Sequence, residues 1–177
     1  AFWPHEVIIR FSDFKTNEYR TLLGGELYEA EEENPMLGWR GASRYYDPKF
    51  RKAFGLECQA LQRVRKEMGL KNVIPMVPFC RTPEEGRKVV KIMGRYGLDR
   101  RLDRKLKIYV MCEIPSNILQ AEEFLKTFDG MSIGSNDLTQ LTLGLDRDSE
   151  KISGIANEDN PSIKELIAQA ITICRDQ

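Results

Sequence analysis

The 177-residue sequence predicts an α/β protein of the (β/α)8 TIM-barrel type, incomplete, with about five of the eight βα units in the chain. Three observations lead there. Short apolar runs alternate with longer amphipathic segments, which is the pattern of βα units around a parallel sheet. The ends of the apolar runs carry Arg10, Glu113 and the neighbours Asn136 and Asp137, polar groups that a barrel collects at its C-terminal face. The first run, in EVIIRFSDF, is not followed by the glycine-rich phosphate loop that a doubly wound nucleotide domain needs. Since a complete barrel takes roughly 250 residues, residues 1–177 are expected to form part of a single barrel domain, with βα units missing at one or both ends.

Each element follows from its own residues. EVIIR (6–10) reads as a strand, and NPMLGWRGASR (34–44) as a loop with room for a short strand, the possible fifth. Phe50, Phe54, Cys58, Leu61, Val64 and Met68 recur at spacings of three or four, which predicts a long amphipathic helix ended by Gly69. NVIPMVPF (72–79) is the next buried strand. Thr82, Pro83 and Glu85 then supply an N-cap, a first-turn proline and a capping-box carboxylate, so a helix to about Tyr96 follows. KIYVMCEIP (107–115) and GMSIGS (130–135) are further strands. Between them Ile118, Ala121, Leu125 and Phe128 mark a helical face, and another helix begins near Leu138. Asn160 and Pro161 open a last helix whose inner side is expected to carry Ile163, Leu166, Ile167, Ala170 and Cys174.

Composition narrows the function. Lysine plus arginine number 27 and aspartate plus glutamate 27, so no basic field invites nucleic acid or an anionic membrane, and neither is expected as a partner. No apolar run is long enough to span a bilayer and no leader pattern opens the chain, which predicts a cytoplasmic protein. Four scattered cysteines and a single histidine give neither a zinc site nor a disulfide frame. Cys58, Cys112 and Cys174 read as core residues. Cys80, at the end of its strand, is the one thiol with a place near the barrel mouth, while His5 precedes a strand and belongs at the opposite end.

The candidate site rests on pleat alternation, which puts Met111 and Glu113 on one face of their strand and Cys112 on the other. A buried carboxylate needs a metal, an arginine or several donors. Glu113 and Asp137 on adjacent strand ends therefore form an oxygen-rich site suited to Mg2+ or Mn2+. The plainer reading stands beside it: Asp137 or Asn136 caps the following helix, with Gln140 as capping-box partner, and Glu113 bridges to Arg10 or Arg147. Arg10, closing an apolar strand, and Arg40, in LGWRG, are expected to be partly buried with their planar forks held for an anion.

These same residues carry a resemblance. RFSDFKTNEY, EEENPMLGWRGASRYY, VMCEIPSN and GMSIGSNDLTQLTLGLDR, in this order, resemble the phosphoenolpyruvate-utilising enzymes over nearly the entire chain, and most closely the members that act on ATP, pyruvate and water. The last motif alone would also fit pyruvate phosphate dikinase or the phosphotransferase enzyme I. The resemblance implies a barrel that binds phosphoenolpyruvate or pyruvate, working with a phosphohistidine domain and an ATP-binding domain that are absent from this sequence, in an enzyme that is expected to form homo-oligomers. It further implies that Glu113 and Asp137 hold Mg2+, that Asn136 contacts the substrate phosphate, and that Arg10 and Arg40, as catalytic residues, grip phosphate and enolate oxygens, with Arg147 adding positive charge. The acid/base of the family is a cysteine in a glycine-rich loop after a later strand, and no such loop occurs here, so the chain alone is expected to be nearly inactive. The non-enzymatic alternative is an inactive unit of folding or of an oligomer interface, since open barrel edges leave strands and apolar helices uncovered.

Overall fold

The computed structural model describes residues 2–146 and 149–177. Four parallel strands, β1 (Val7–Arg10), β2 (Val73–Val77), β3 (Tyr109–Cys112) and β4 (Gly130–Ile133), lie in the order β1-β2-β3-β4. Sequential order without a reversal is barrel topology; a doubly wound sheet changes direction at a switch point. The sheet curls as half of an eight-stranded barrel, in agreement with the predicted fold class.

Register assigns the two faces. Ile8 is paired with Ile74, Arg10 with Met76, Met76 with Tyr109, and Met111 with Ser132, so these side chains share one face. The alternate positions Val73, Val77 and Val110 enter the main hydrophobic cluster with Phe54, Cys58, Val89 and Met93 from the helices. Those helices are α3 (Arg51–Lys66) and α4 (Pro83–Arg95), and their apolar stripes cover the outer face of the sheet. Burying it removes on the order of 25 cal/mol per Å2 of apolar surface from water, the main favourable contribution to folding.

Between β1 and β2 the chain forms α1 (Thr16–Arg20), a 3-10 turn at Gly25–Leu27 and α2 (Ala42–Tyr46). The possible fifth strand in residues 34–44 is not formed. Its backbone instead makes a tight loop in which Trp39 N–H donates to Glu32 Oε1 at 3.0 Å, and it turns at Gly41 (φ +55°) into α2. Among the described residues the parallel strands therefore number four.

Caps behave largely as the sequence predicts. Thr82 accepts from the Glu85 N–H at 3.2 Å to open α4, and Asn160 Oδ1 accepts from Ser162 N–H at 3.0 Å to open α8 (Pro161–Asp176). The helix expected across residues 118–128 is split into α5 (Pro115–Leu119) and α6 (Ala121–Leu125), with Gln120 at φ −121° between them. After β4 comes α7 (Ser135–Leu143), and a second cluster forms where Cys112, Ile118 and Leu138 meet Ile163 and Ala170 of α8.

Two expectations about helix faces need correction. Met68 lies beyond the end of α3 and is exposed, because Glu67 already caps that helix. Cys174 is also exposed: Ile163 and Ala170 alone of α8 are fully buried, so the inner stripe of the helix does not reach Cys174.

Candidate active site

Each strand end delivers one part of the site. Beyond β1, Phe11 N–H still pairs with Met76 O at 3.0 Å, and Ser12 is then held by three bonds. Glu57 of α3 accepts from its N–H at 2.9 Å and from its hydroxyl at 2.7 Å, and the buried Tyr45 hydroxyl donates to its carbonyl at 2.6 Å. Burial first, then the nearby Asp13 and Glu57 charges, push the Tyr45 phenol well up, so it stays a donor. Asp13 is thereby fixed over the cleft.

Beyond β3, Glu113 continues the inward phase of Met111, as pleat alternation predicts. It is 2% exposed, and its Oε1 accepts from Phe79 N–H at 2.6 Å. Asn117 Oδ1 accepts from the Glu113 N–H at 3.1 Å and fixes its backbone. Gly134 after β4 permits the approach, since a Cβ there would lie 2.8 Å from Glu113 Cβ and 3.0 Å from its Oε2. One residue type fits that position.

Asp137 stands in the first turn of α7. Gly134, not Asp137 or Asn136, occupies the N-cap. The Asp137 carboxylate instead reaches Arg40, whose Nη2 donates to its Oδ2 at 3.0 Å. Arg40 also donates from Nε to Asp13 Oδ1 at 3.1 Å and from Nη2 to Asp13 Oδ2 at 2.5 Å, a two-pronged pair. Its loop is set by a second arginine. Arg44 is fully buried, donates to Trp39 O at 2.8 Å and to both oxygens of Glu29 at 2.8 and 2.6 Å, and lies 4.2 Å from the Trp39 ring centroid.

Charge is concentrated here. One carboxylate oxygen from each of Asp13, Glu113 and Asp137 lies within 4.8 Å of the others. Among the described residues, the buried guanidinium that meets these carboxylates is that of Arg40, 5% exposed. Burial pushes the Glu113 carboxyl up to about 8, the Phe79 N–H opposes this, and Asp137 and Asp13 add to it. Burial acts to lower Arg40, yet the hydrogen bond and charge of Asp13, followed by Asp137 and Glu113, hold it raised. Three hard oxygen donors with excess negative charge fit a divalent cation such as Mg2+.

Of the residues singled out in the sequence, Arg10, Arg40, Glu113, Asn136 and Asp137 all line one cleft of about 500 Å3. Arg147 lies outside the described residues. Arg40 is buried as expected, whereas Arg10 is exposed on the cleft wall, because β1 forms an edge of the described sheet and no neighbouring strand covers it. Among the described residues Glu113 has no cation within ion-pair distance, so the expected alternative of a bridge to Arg10 is not formed. Cys80 is fully buried in the main cluster, and burial pushes its thiol far up, which removes it from the mouth. His5 precedes β1, opposite the cleft.

Sequence reasoning missed Asp13, Phe79, and the pair Glu29 and Arg44. Asp13 had a usable signal, a carboxylate three residues past the Arg10 strand end. The others had none, because their roles depend on contacts between distant segments.

The comparisons agree with this geometry. The sequence matches the family described as "PEP-utilising enzyme, PEP-binding domain" over residues 1–177. It is 62% identical over 171 residues to the phosphoenolpyruvate synthase of Synechocystis sp., covering 97% of this chain and 21% of that protein. Identity to the phosphoenolpyruvate synthase of Aquifex aeolicus is 60% over 176 residues, covering 99% and 20%. For the Escherichia coli phosphoenolpyruvate synthase it is 56% over 177 residues, covering 100% and 22%. The chain spans about a fifth of the length of the curated relatives it matches. A half-barrel with its acidic cluster and arginines at the strand ends, matched from end to end, shows that the chain belongs to the phosphoenolpyruvate-utilising enzymes, in their PEP-binding domain.

Proposed function

We propose that residues 1–177 form part of a single barrel domain, the phosphoenolpyruvate/pyruvate- and Mg2+-binding portion of a cytoplasmic, homo-oligomeric phosphoenolpyruvate synthase. In that reading the longer protein makes phosphoenolpyruvate, AMP and phosphate from ATP, pyruvate and water, by way of a phosphohistidine on a domain outside this sequence. The observation that carries the reading is the convergence of Asp13, Glu113 and Asp137 around Arg40 at the C-terminal ends of the strands. No helix among the described residues is long and apolar enough to cross a membrane.

Roles follow from the geometry. Glu113 and Asp137 would hold Mg2+, while Asp13, already bonded twice to Arg40, orients that guanidinium. When bound, the ion supplies positive charge that stabilises an enolate oxygen. Arg40, whose Nε and Nη2 are held by Asp13 and Asp137, would bring a fixed buried positive charge to the phosphoryl oxygens, and Arg10 would add a second cation from the lining of the same cleft. Asn136, exposed in the first turn of α7, would contribute an amide to the substrate phosphate, and Arg147, which lies outside the described residues, would by the resemblance add further charge. Together they hold the phosphoryl donor and the enolate oxygen in line and neutralise their negative charge. The methyl proton needs a group from outside this chain, because Cys80 donates to Thr82 O within the core.

Calorimetric titration with phosphoenolpyruvate, with and without Mg2+, tests this against a Glu113→Gln/Asp137→Asn double variant. Metal-dependent binding that disappears in the variant is the expected result. A folded wild-type chain that binds neither Mg2+ nor phosphoenolpyruvate would overturn the reading and favour an inactive folding or interface unit.

A further inference from the structure

Phe79, two residues past the end of β2, touches both halves of the site. Its φ is +44°, the one positive value outside glycine among the described residues. Such backbone is sparsely populated for a residue with a Cβ and persists only where its surroundings over-determine it. Two contacts depend on it. The Phe79 N–H meets Glu113 Oε1 at 2.6 Å, and the ring centroid lies 3.9 Å from the Arg40 guanidinium carbon.

The loop carrying Arg40 is fastened to Pro78 and packs against Phe79. Ala42 N–H donates to Pro78 O at 3.1 Å, and a Cβ on Gly41 would lie 2.5 Å from Phe79 Cβ, so the two backbones touch. Arg81 also sits against the ring, 4.8 Å from its centroid, and donates to the carbonyls of Leu37 and Gly38 at 3.1 and 2.5 Å, just before Arg40. Phe79 is 1% exposed, but burial alone would not select it. A glycine would adopt this backbone more easily, and an aliphatic residue would fill the volume. Neither offers a π-face to a cation.

We propose that Phe79 is a positioning residue, whose left-handed backbone aims an N–H at Glu113 while its ring fixes the plane of the Arg40 guanidinium. Asp13 grips the edge of that guanidinium and Phe79 its face, leaving little freedom to be lost when an anion binds. The benefit to substrate binding rests on the reading of Arg40 given above, whereas the orientation of Arg40 does not.

The test compares the wild-type chain with Phe79→Gly, which relaxes the backbone and keeps the N–H, and Phe79→Leu, which keeps apolar bulk, each checked for folding by urea denaturation. The first readout is the Arg40 Nε–H resonance in 15N-edited spectra, assigned with Arg40→Lys. It should be sharp in the wild type and shifted and exchange-broadened in both variants. In the second, phosphoenolpyruvate with Mg2+ should bind about tenfold more weakly to both variants, while Mg2+ alone binds Phe79→Gly within about threefold of wild type. An unchanged Arg40 resonance in a folded Phe79→Leu or Phe79→Gly chain would overturn the proposal. If the wild type does not bind phosphoenolpyruvate but both variants lose the resonance, the positioning role stands and the substrate assignment falls.

Discussion

Replacing Glu113 by glutamine should remove the loss of stability that this group causes at alkaline pH. The group is 2% exposed, and its carboxyl rises from 4.5 to about 8, chiefly through burial, with Asp137 and Asp13 adding negative charge. Its folded-state value thus lies above its unfolded one, so the folded chain keeps a proton that the unfolded chain releases. Stability from this group is complete below pH 4.5 and is lost as pH rises through about 8. At 1.36 kcal/mol for each pH unit, the ceiling on that loss is on the order of 5 kcal/mol, and relaxation of the site and water entry reduce it to roughly 2. Glutamine is isosteric, accepts the same Phe79 N–H and does not ionise. The two proteins should therefore have similar urea midpoints at pH 5.5, and at pH 9 without metal the variant should be more stable by about 2–4 kcal/mol. Millimolar Mg2+ at pH 9 should restore the wild type and leave the variant unchanged, because a ligand stabilises only the state that binds it. Parallel pH profiles for the two metal-free proteins would refute the argument.

Other perturbations test neighbouring parts of the site. Gly134→Ala puts a methyl 2.8 Å from Glu113 Cβ, so Mg2+ binding followed by calorimetry should be lost while helical circular dichroism is retained, at a stability cost of about 1–3 kcal/mol. Asp13→Asn removes the two-pronged grip on Arg40, and phosphoenolpyruvate affinity should fall about tenfold with little change in the far-ultraviolet spectrum. Glu29→Gln leaves the fully buried Arg44 without its counter-charge and should lower stability by about 3–5 kcal/mol in urea titrations, whereas Glu29→Leu combined with Arg44→Met should recover most of it.

How far the sequence carries depends on the range of the interaction. Strand and helix identities were legible because pleat and helical periods are written locally: the alternation of Val110, Met111, Cys112 and Glu113 places the carboxylate inward without reference to any other segment. Caps at Thr82 and Asn160 were legible for the same reason. Wherever a distant contact won, local pattern misled. Residues 34–44 have the apolar content of a short strand, but Glu32 and Arg44 take their backbone groups into a loop. Asp137 with Gln140 reads as a cap, yet Arg40, 97 positions away, claims its carboxylate.

By itself, then, the sequence determined the parallel α/β class, the barrel rather than the nucleotide fold, and Arg10, Glu113, Asn136 and Asp137 among the strand-end residues that line the cleft, because secondary-structure period and strand polarity fix which side chains reach the C-terminal face. Tertiary structure alone decided what those residues do to one another. It made Asp13 the third carboxylate, turned Arg40 toward acids rather than solvent, raised Glu113, and bent Phe79 into a conformation its own residue type disfavours. The physical reason is that burial and charge coupling depend on separations of a few ångströms between groups tens of residues apart, and no local pattern encodes those distances.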